Sequence, residues 1–166
     1  MAILKKIIHI LSYVCYLLII LYAIVCIPCI FKYKPLIVLS GSMEPTYDVG
    51  SIIYYKHVDE SKLKIDDVIT FESFDGELVT HRIYSMEDNY YITKGDANEI
   101  PDPGRVSYEN IKGKVHNKSI PYIGYYVKFI NEHKFTIVIV VILLILEYLF
   151  SGYKVKKEEG VLDEKK

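Results

Sequence analysis

Lys5 and Lys6 are followed by Ile7 to Phe31, a run of 25 residues without Asp, Glu, Lys or Arg. Coiled as a helix it would extend about 37 Å, enough to cross a bilayer with some tilt. A removable secretory leader has an apolar core of roughly 7–15 residues, so this run is too long to be one. Cys26-Ile27-Pro28-Cys29 at its end is also a poor small-residue cleavage site. The pattern predicts an uncleaved anchor over 7–31 behind a short tail, 1–6, with His9 at headgroup depth. A second apolar run, Phe135 to Tyr153, carries Glu147 as its single charge and has about 28 Å of helical length. It is expected to span as well, over 134–153, with Glu147 snorkelling at the helix end. Lysines lie outside both runs: Lys5 and Lys6 before the first, and Lys154, Lys156, Lys157, Lys165 and Lys166 after the second. Positive flanks stay cytoplasmic. A multi-pass protein of the cell membrane is therefore expected, with residues 32–133 on the extracytoplasmic side and a charged, solvated tail at 154–166.

Between the two runs the period changes. Short β-branched and aromatic stretches predict strands at Leu36–Leu39, Ser51–His57, Val68–Glu72, Glu77–Ser85, Tyr90–Lys94 and Ile111–Lys118. Turn signals separate them at Asp48-Val49-Gly50, Asp75-Gly76, Glu87-Asp88-Asn89 and Gly95-Asp96-Ala97-Asn98. Asp75-Gly76 suits a tight hairpin. No helical period is sustained from Lys34 to Pro121. The expected fold is mainly β: a small antiparallel domain of about 100 residues flanked by two transmembrane helices. Residues 119–130, rich in Tyr and Phe, form a separate patch before the second span. Such a patch suits either a surface resting in the headgroup layer or an ordinary packed lead-in to the helix.

Composition narrows the chemistry. The 166 residues suit one domain, and the 51% apolar share reflects the two spans. A net charge of −1 argues against a nucleic-acid partner, which needs a concentrated basic face. Cys15, Cys26 and Cys29 all lie in the first span and leave no disulfide or metal site in the centre. Cys26 and Cys29 have CxxC spacing but no second ligand pair, so they read as small apolar side chains in lipid or as an acylation site. No metal and no cofactor are expected.

A serine hydroxyl is a weak nucleophile until a base takes its proton and donors hold the oxyanion. Candidate bases in the centre are His57, His81 and His116, with His133 at the membrane entry. His81 and Arg82 form a polar pair inside the otherwise apolar Leu78–Ile83 stretch, a costly placement unless it has a task. Asp96 and Asp102 follow in a Gly- and Pro-rich loop of the kind that holds functional carboxylates. On the residues alone, a Ser/His/Asp constellation and a purely structural use of the same side chains both stay open.

At these positions the sequence resembles signal peptidase I of the endoplasmic-reticulum type, shared by eukaryotes, archaea and some sporulating Gram-positive bacteria. The resemblance covers roughly residues 10–130, with four blocks in order. Ser40-Gly41-Ser42-Met43-Glu44-Pro45-Thr46 looks like the nucleophile block. Ile65-Asp66-Asp67-Val68-Ile69-Thr70-Phe71 looks like the following strand block, with Asp66 in place of the more usual glycine. Thr80-His81-Arg82-Ile83 falls where the general base is expected, and Thr93-Lys94-Gly95-Asp96-Ala97-Asn98 with Asp102 looks like the last block. The resemblance implies a membrane-bound serine endopeptidase with Ser42 as nucleophile, His81 as base in place of the lysine of the common bacterial enzymes, and Asp102 orienting the imidazole. A Ser42–Lys94 dyad is disfavoured, because Lys94 belongs to the last block. The Ser42 backbone N–H and the Ser40 hydroxyl are the implied oxyanion donors, although Ser40 also suits a strand end. Asp96 either holds the loop or shares the acidic role. The implied partners are signal peptides of secreted preproteins, the lipid bilayer and the export machinery. The reading from another class is a membrane-tethered β domain that binds a partner with Ser42 inert; the four ordered blocks disfavour it.

Overall fold

The structure is a computed structural model and describes residues 2–116, 118–143 and 145. Its first element, α1 (Ala2–Ile30), is helical throughout, with Pro28 inside its last turn. Within it His9–Ile30 is long and apolar enough to cross a membrane. The helix stops at Lys32, whose φ of 66° is left-handed. The Phe31 and Tyr33 N–H groups both donate to the Pro28 carbonyl there, at 3.0 and 3.2 Å, which satisfies an end that helix geometry leaves open.

Seven strands follow: β1 (Lys34–Ile37), β2 (Ile52–Lys56), β3 (Val68–Glu72), β4 (Leu78–Glu87), β5 (Tyr90–Lys94), β6 (Arg105–Val106) and β7 (Ile111–Val115). They form one sheet in the order β1-β2-β7-β3-β4-β5-β6, with every neighbouring pair antiparallel. The expected strands at Val68–Glu72 and Tyr90–Lys94 occur with those bounds, because Gly, Asp and Asn turns close them on both sides. The Asp75-Gly76 hairpin forms between β3 and β4; Gly76 takes φ 82° and its N–H donates to the Ser73 carbonyl at 2.9 Å. The first expected strand begins earlier and ends at Ile37. Only Val38 continues the ladder, its N–H donating to Ser51 O at 3.0 Å while its carbonyl accepts from Gly50 N–H at 2.9 Å. Leu39 is outside it and exposed.

The strand interiors are apolar on both faces where the sheet is covered on both. In β2, Ile53 and Tyr55 join Met43, Tyr47, Val68 and Val115 on one side. Ile52 and Tyr54 join Val25 and Val127 on the other. A third cluster, Leu63, Ile69, Phe71, Ile83, Tyr91, Val106 and Ile111, fills the space under β3, β4 and β5. Between strands, the Thr70 and Thr80 hydroxyls meet at 2.9 Å, so the fully buried Thr70 carries its polar atom without penalty.

The described chain divides into two compact units, one of Ile20–Lys128 and one drawing on Met1–Ile19 and the chain from Phe129 onward. In the first, the Tyr54 hydroxyl donates to the Val25 carbonyl at 2.8 Å, tying β2 to the last turns of α1. The aromatic stretch 119–130 is largely helical there. Ile120 bridges to Ile52, and α2 (Ile123–Glu132) starts against the β1–β2 connection, with the Gly124 N–H donating to Gly50 O at 2.9 Å. In the second unit, the Phe129 and His133 rings stack at 4.4 Å, and α3 (Lys134–Leu143) is a short apolar helix. Most of the expected second span beyond Leu143, Glu147 included, and the charged tail at 154–166 lie outside the described residues.

A Cβ on Gly124 would stand 2.6 Å from Gly50 O and 2.9 Å from Ser51 O. Backbone atoms cannot step aside as a flexible side chain can, so Gly124→Ala is expected to destabilise the domain by about 1–3 kcal/mol. Gly104 has nothing within 4 Å of such a Cβ, and Gly104→Ala should leave stability within about 0.5 kcal/mol. Thermal melts of the two variants in detergent check the contrast.

Candidate active site

Ser42 sits in the 3-10 turn Gly41–Met43, inside the loop that joins β1 to β2. Two neighbours fix that loop: Met43 and Tyr47 are only 3% and 1% exposed, packed in the cluster beside β2. Burial of such side chains contributes roughly 1.5–3 kcal/mol each, which holds the turn in place although Ser42 itself is only half-buried.

His81 and Arg82 are consecutive on β4, so their side chains leave opposite faces of the strand. His81 shares its face with Ile83, and Ile83 is paired across to Thr93 on β5. Asp102 lies over that face, with its N–H donating to the Thr93 carbonyl at 2.8 Å. The result is a relay of three side chains. Ser42 Oγ lies 3.1 Å from His81 Nε2, and His81 Nδ1 lies 2.6 Å from Asp102 Oδ2. His81 is 9% exposed, so the imidazole is shielded from water while one nitrogen faces the serine. Given a proton on Nδ1 directed at the carboxylate, Nε2 is left as an acceptor for the serine hydroxyl. Such an arrangement can deprotonate the hydroxyl as it attacks and hold the resulting imidazolium. Ser40 Oγ is 3.4 Å from Ser42 Oγ.

Arg82 takes the other carboxylate. Its Nε and Nη2 donate to Asp96 Oδ1 and Oδ2 at 2.8 and 2.6 Å, a bidentate pair, and its Nη1 donates to Asp66 O at 2.8 Å. Thr46 Oγ1 donates to Asp96 Oδ2 at 2.5 Å. The hydrogen bonds from Arg82 hold the Asp96 carboxyl below the ordinary carboxylate range, against the opposing effect of burial and with help from Thr46. The same pairing raises the Arg82 guanidinium. Thr46 follows Ser42 by four positions, so this pair ties the serine loop, β4 and the Asp96 loop together.

A backbone contact adds to that tie. The Ala97 N–H donates to the Ser42 carbonyl at 2.9 Å. Gly95 lies so close that a Cβ there would stand 2.5 Å from the same carbonyl oxygen. Asp66, where the resembled family more often has glycine, takes a φ of 73°. This left-handed region favours glycine, and Asp is among the few other residues that tolerate it.

The structure thus brings Ser42, His81 and Asp102 together and separates Asp96 from them, placing it on Arg82 instead. Lys94 Nζ lies over the Tyr84 ring at 5.9 Å. His57 and His116 neighbour Tyr108 and Tyr33 at 6.2 and 6.1 Å, and His133 Nδ1 meets Phe129 O at 3.0 Å. The sequence places Thr46, Thr93, Gly95 and Arg82 inside the resembled blocks without giving any of them a role of its own, and marks Arg82 further only as the partner of His81 in an odd polar pair. That oddity and its place in the general-base block were the available signals for Arg82. Among the described residues no group of three or more His, Cys, Asp or Glu is placed to hold a metal ion.

No family model matches the chain. Individual relatives do. Over 99 residues it is 38% identical to signal peptidase I W of Bacillus subtilis (strain 168), a match spanning 57% of this chain and 52% of that protein. The chain thus spans about half the length of this relative. Over 110 residues it is 24% identical to the human signal peptidase complex catalytic subunit SEC11C, 58% of this chain and 57% of that protein. The signal peptidase complex catalytic subunit SEC11 of Lodderomyces elongisporus is 33% identical over 129 residues, 70% of this chain and 76% of that protein. By identity and coverage together, the chain belongs to the signal peptidase family that includes the SEC11 catalytic subunits.

Proposed function

We propose that the chain is a membrane-bound serine endopeptidase that removes N-terminal signal peptides from exported preproteins; its relatives are named as a signal peptidase and as a catalytic subunit of the signal peptidase complex. The observation that carries this reading is the continuous contact from Ser42 Oγ through His81 to Asp102, at 3.1 and 2.6 Å. Ser42 attacks the scissile carbonyl carbon as His81 Nε2 takes its proton. The carbonyl oxygen becomes an oxyanion, held by the Ser42 backbone N–H and the Ser40 hydroxyl. Collapse of the tetrahedral intermediate breaks the C–N bond, with His81 returning the proton to the leaving amine. Water then hydrolyses the acyl-serine by the same steps in reverse order. Asp102 keeps the imidazole in the needed tautomer and stabilises its charged form. Asp96 acts at a distance from the reaction, holding Arg82 and the serine loop.

Sheet topology supports a peptide substrate. β4 pairs with β5 from Arg82 onward, and with β3 back to Leu78. Among the described residues no strand pairs with the second edge of Leu78–Thr80, next to His81. An extended chain can add there as a strand and present a backbone carbonyl to the serine. Fewer than a dozen residues separate α1 from Ser42. Fully extended they reach roughly 35 Å, which keeps the nucleophile near the bilayer surface where a signal peptide emerges. The active domain faces the extracytoplasmic side of the cell membrane, with a second span over 134–153, and export machinery is a further partner.

The full chain in detergent should cut a preprotein after a small residue, and Ser42→Ala, His81→Ala and Asp102→Ala should each lower cleavage by a factor on the order of 10³ or more. Normal cleavage by Ser42→Ala would overturn the enzyme reading in favour of a binding domain.

Asp96→Asn is expected to act mainly on stability, costing about 2 kcal/mol at neutral pH through loss of its charge-assisted bonds. Because the Asp96 carboxyl is depressed in the folded state, its contribution is complete above the ordinary carboxylate range and is lost as pH falls through the depressed value. Melting curves of wild type and Asp96→Asn should therefore differ at pH 7 and converge in strong acid. A gap that widens on acidification would contradict this assignment.

A further inference from the structure

Thr93 is fully buried at the end of β5, and it makes two separate contacts with one residue. Its carbonyl accepts from the Asp102 N–H at 2.8 Å. Its hydroxyl donates to Asp102 Oδ2 at 2.6 Å. That oxygen is the one facing His81 Nδ1 at 2.6 Å. The direction of the threonine bond is settled by chemistry, since an ionised carboxylate can only accept.

Asp102 needs such a restraint. It sits in a loop between two prolines, Pro101 and Pro103, and its side chain is still 22% exposed. It borders an open groove of about 540 Å³ shared with His81, Val79, Phe74 and Arg105. A carboxylate in that position has an alternative: rotation about χ1 into the groove, where water would solvate it at little cost. His81 alone offers one donor against this. Thr93 adds a second from the buried side, and its own rotamer is stiff because the side chain is β-branched and enclosed.

We propose that Thr93 is a positioning residue that locks the Asp102 carboxylate in the rotamer facing His81. This rests on reading Ser42, His81 and Asp102 as the reacting triad. The threonine touches neither substrate nor the reacting atoms. It acts through Asp102, and its loss lets the carboxylate leave His81.

The test uses the full chain in detergent and a preprotein whose signal peptide has small residues one and three positions before the cut. Thr93→Val keeps the shape and removes the hydroxyl; Thr93→Ser keeps the hydroxyl. Thr93→Val should lower kcat by about tenfold or more, the loss expected for one hydrogen bond to a charged group, with KM within about twofold. Thr93→Ser should restore kcat to within about twofold of wild type. A threonine that matters only for packing predicts the opposite order, with the valine variant active and the serine variant the weaker. Should Thr93→Val fail to fold, Thr93→Ala against Thr93→Ser makes the same comparison, differing by one hydroxyl. Wild-type kcat in the variant lacking the hydroxyl, or equal impairment of that variant and Thr93→Ser, overturns the proposal. Ser42→Ala measured alongside separates the two levels. Its normal activity would remove the triad reading and this proposal together, whereas an inactive Ser42→Ala beside a fully active Thr93→Val would remove the role of Thr93 alone.

Discussion

Consecutive side chains on a strand leave opposite faces, and β4 uses that restriction to keep two hydrogen-bonded pairs apart. His81 turns to the face covered by Asp102, and Arg82 turns to the face where Asp96 waits. A shift of register by one residue would exchange them. An arginine would then face the serine, and the imidazole would lie among the groups that brace the loop. The pairing of Ile83 with Thr93 and of Ile69 with His81 fixes the register on both sides, and the apolar cluster around Ile69 and Ile83 enforces it by burial.

The two pairs also differ in character. Arg82 and Asp96 meet in a bidentate fork with further bonds to Thr46 and the Asp66 carbonyl. Such a fork is rigid and strongly directional, suited to fastening three chain segments. His81 and Asp102 meet through a single oxygen, which leaves the other ring nitrogen facing the serine. One pair gives stiffness and the other, in the proposed mechanism, a proton path.

How much of this was legible in the sequence follows from which interactions are local. β3 and β5 could be read to the residue, since their apolar patterns end at Gly, Asp and Asn turns. β6, only Arg105–Val106, is too short to show a period. The place of β7 between β2 and β3 depends on pairing across tens of residues, which no local pattern encodes. The turn that holds Ser42 is a single 3-10 turn, set by the burial of Met43 and Tyr47 rather than by propensity. At the site, Ser42 and His81 were recognisable by block resemblance. On the residues alone Asp96 and Asp102 could not be told apart, because both lie in one Gly- and Pro-rich loop; the resemblance gave the imidazole to Asp102 and left Asp96 between holding the loop and sharing the acidic role, which only the folded path of the loop decides.

That loop has a further consequence. Within eight positions, Gly95 to Asp102, it supplies the close approach to the Ser42 carbonyl, the acceptor for Arg82, the Ala97 N–H that holds the serine turn, and the carboxylate for His81. Its length is therefore a calibrated spacing. Surface loops ordinarily tolerate insertion, since lengthening costs little entropy. Here an added residue between Asp96 and Asp102 would leave both ends tethered and still spoil the measure between them, so this connection is held to a fixed length by geometry at its two ends.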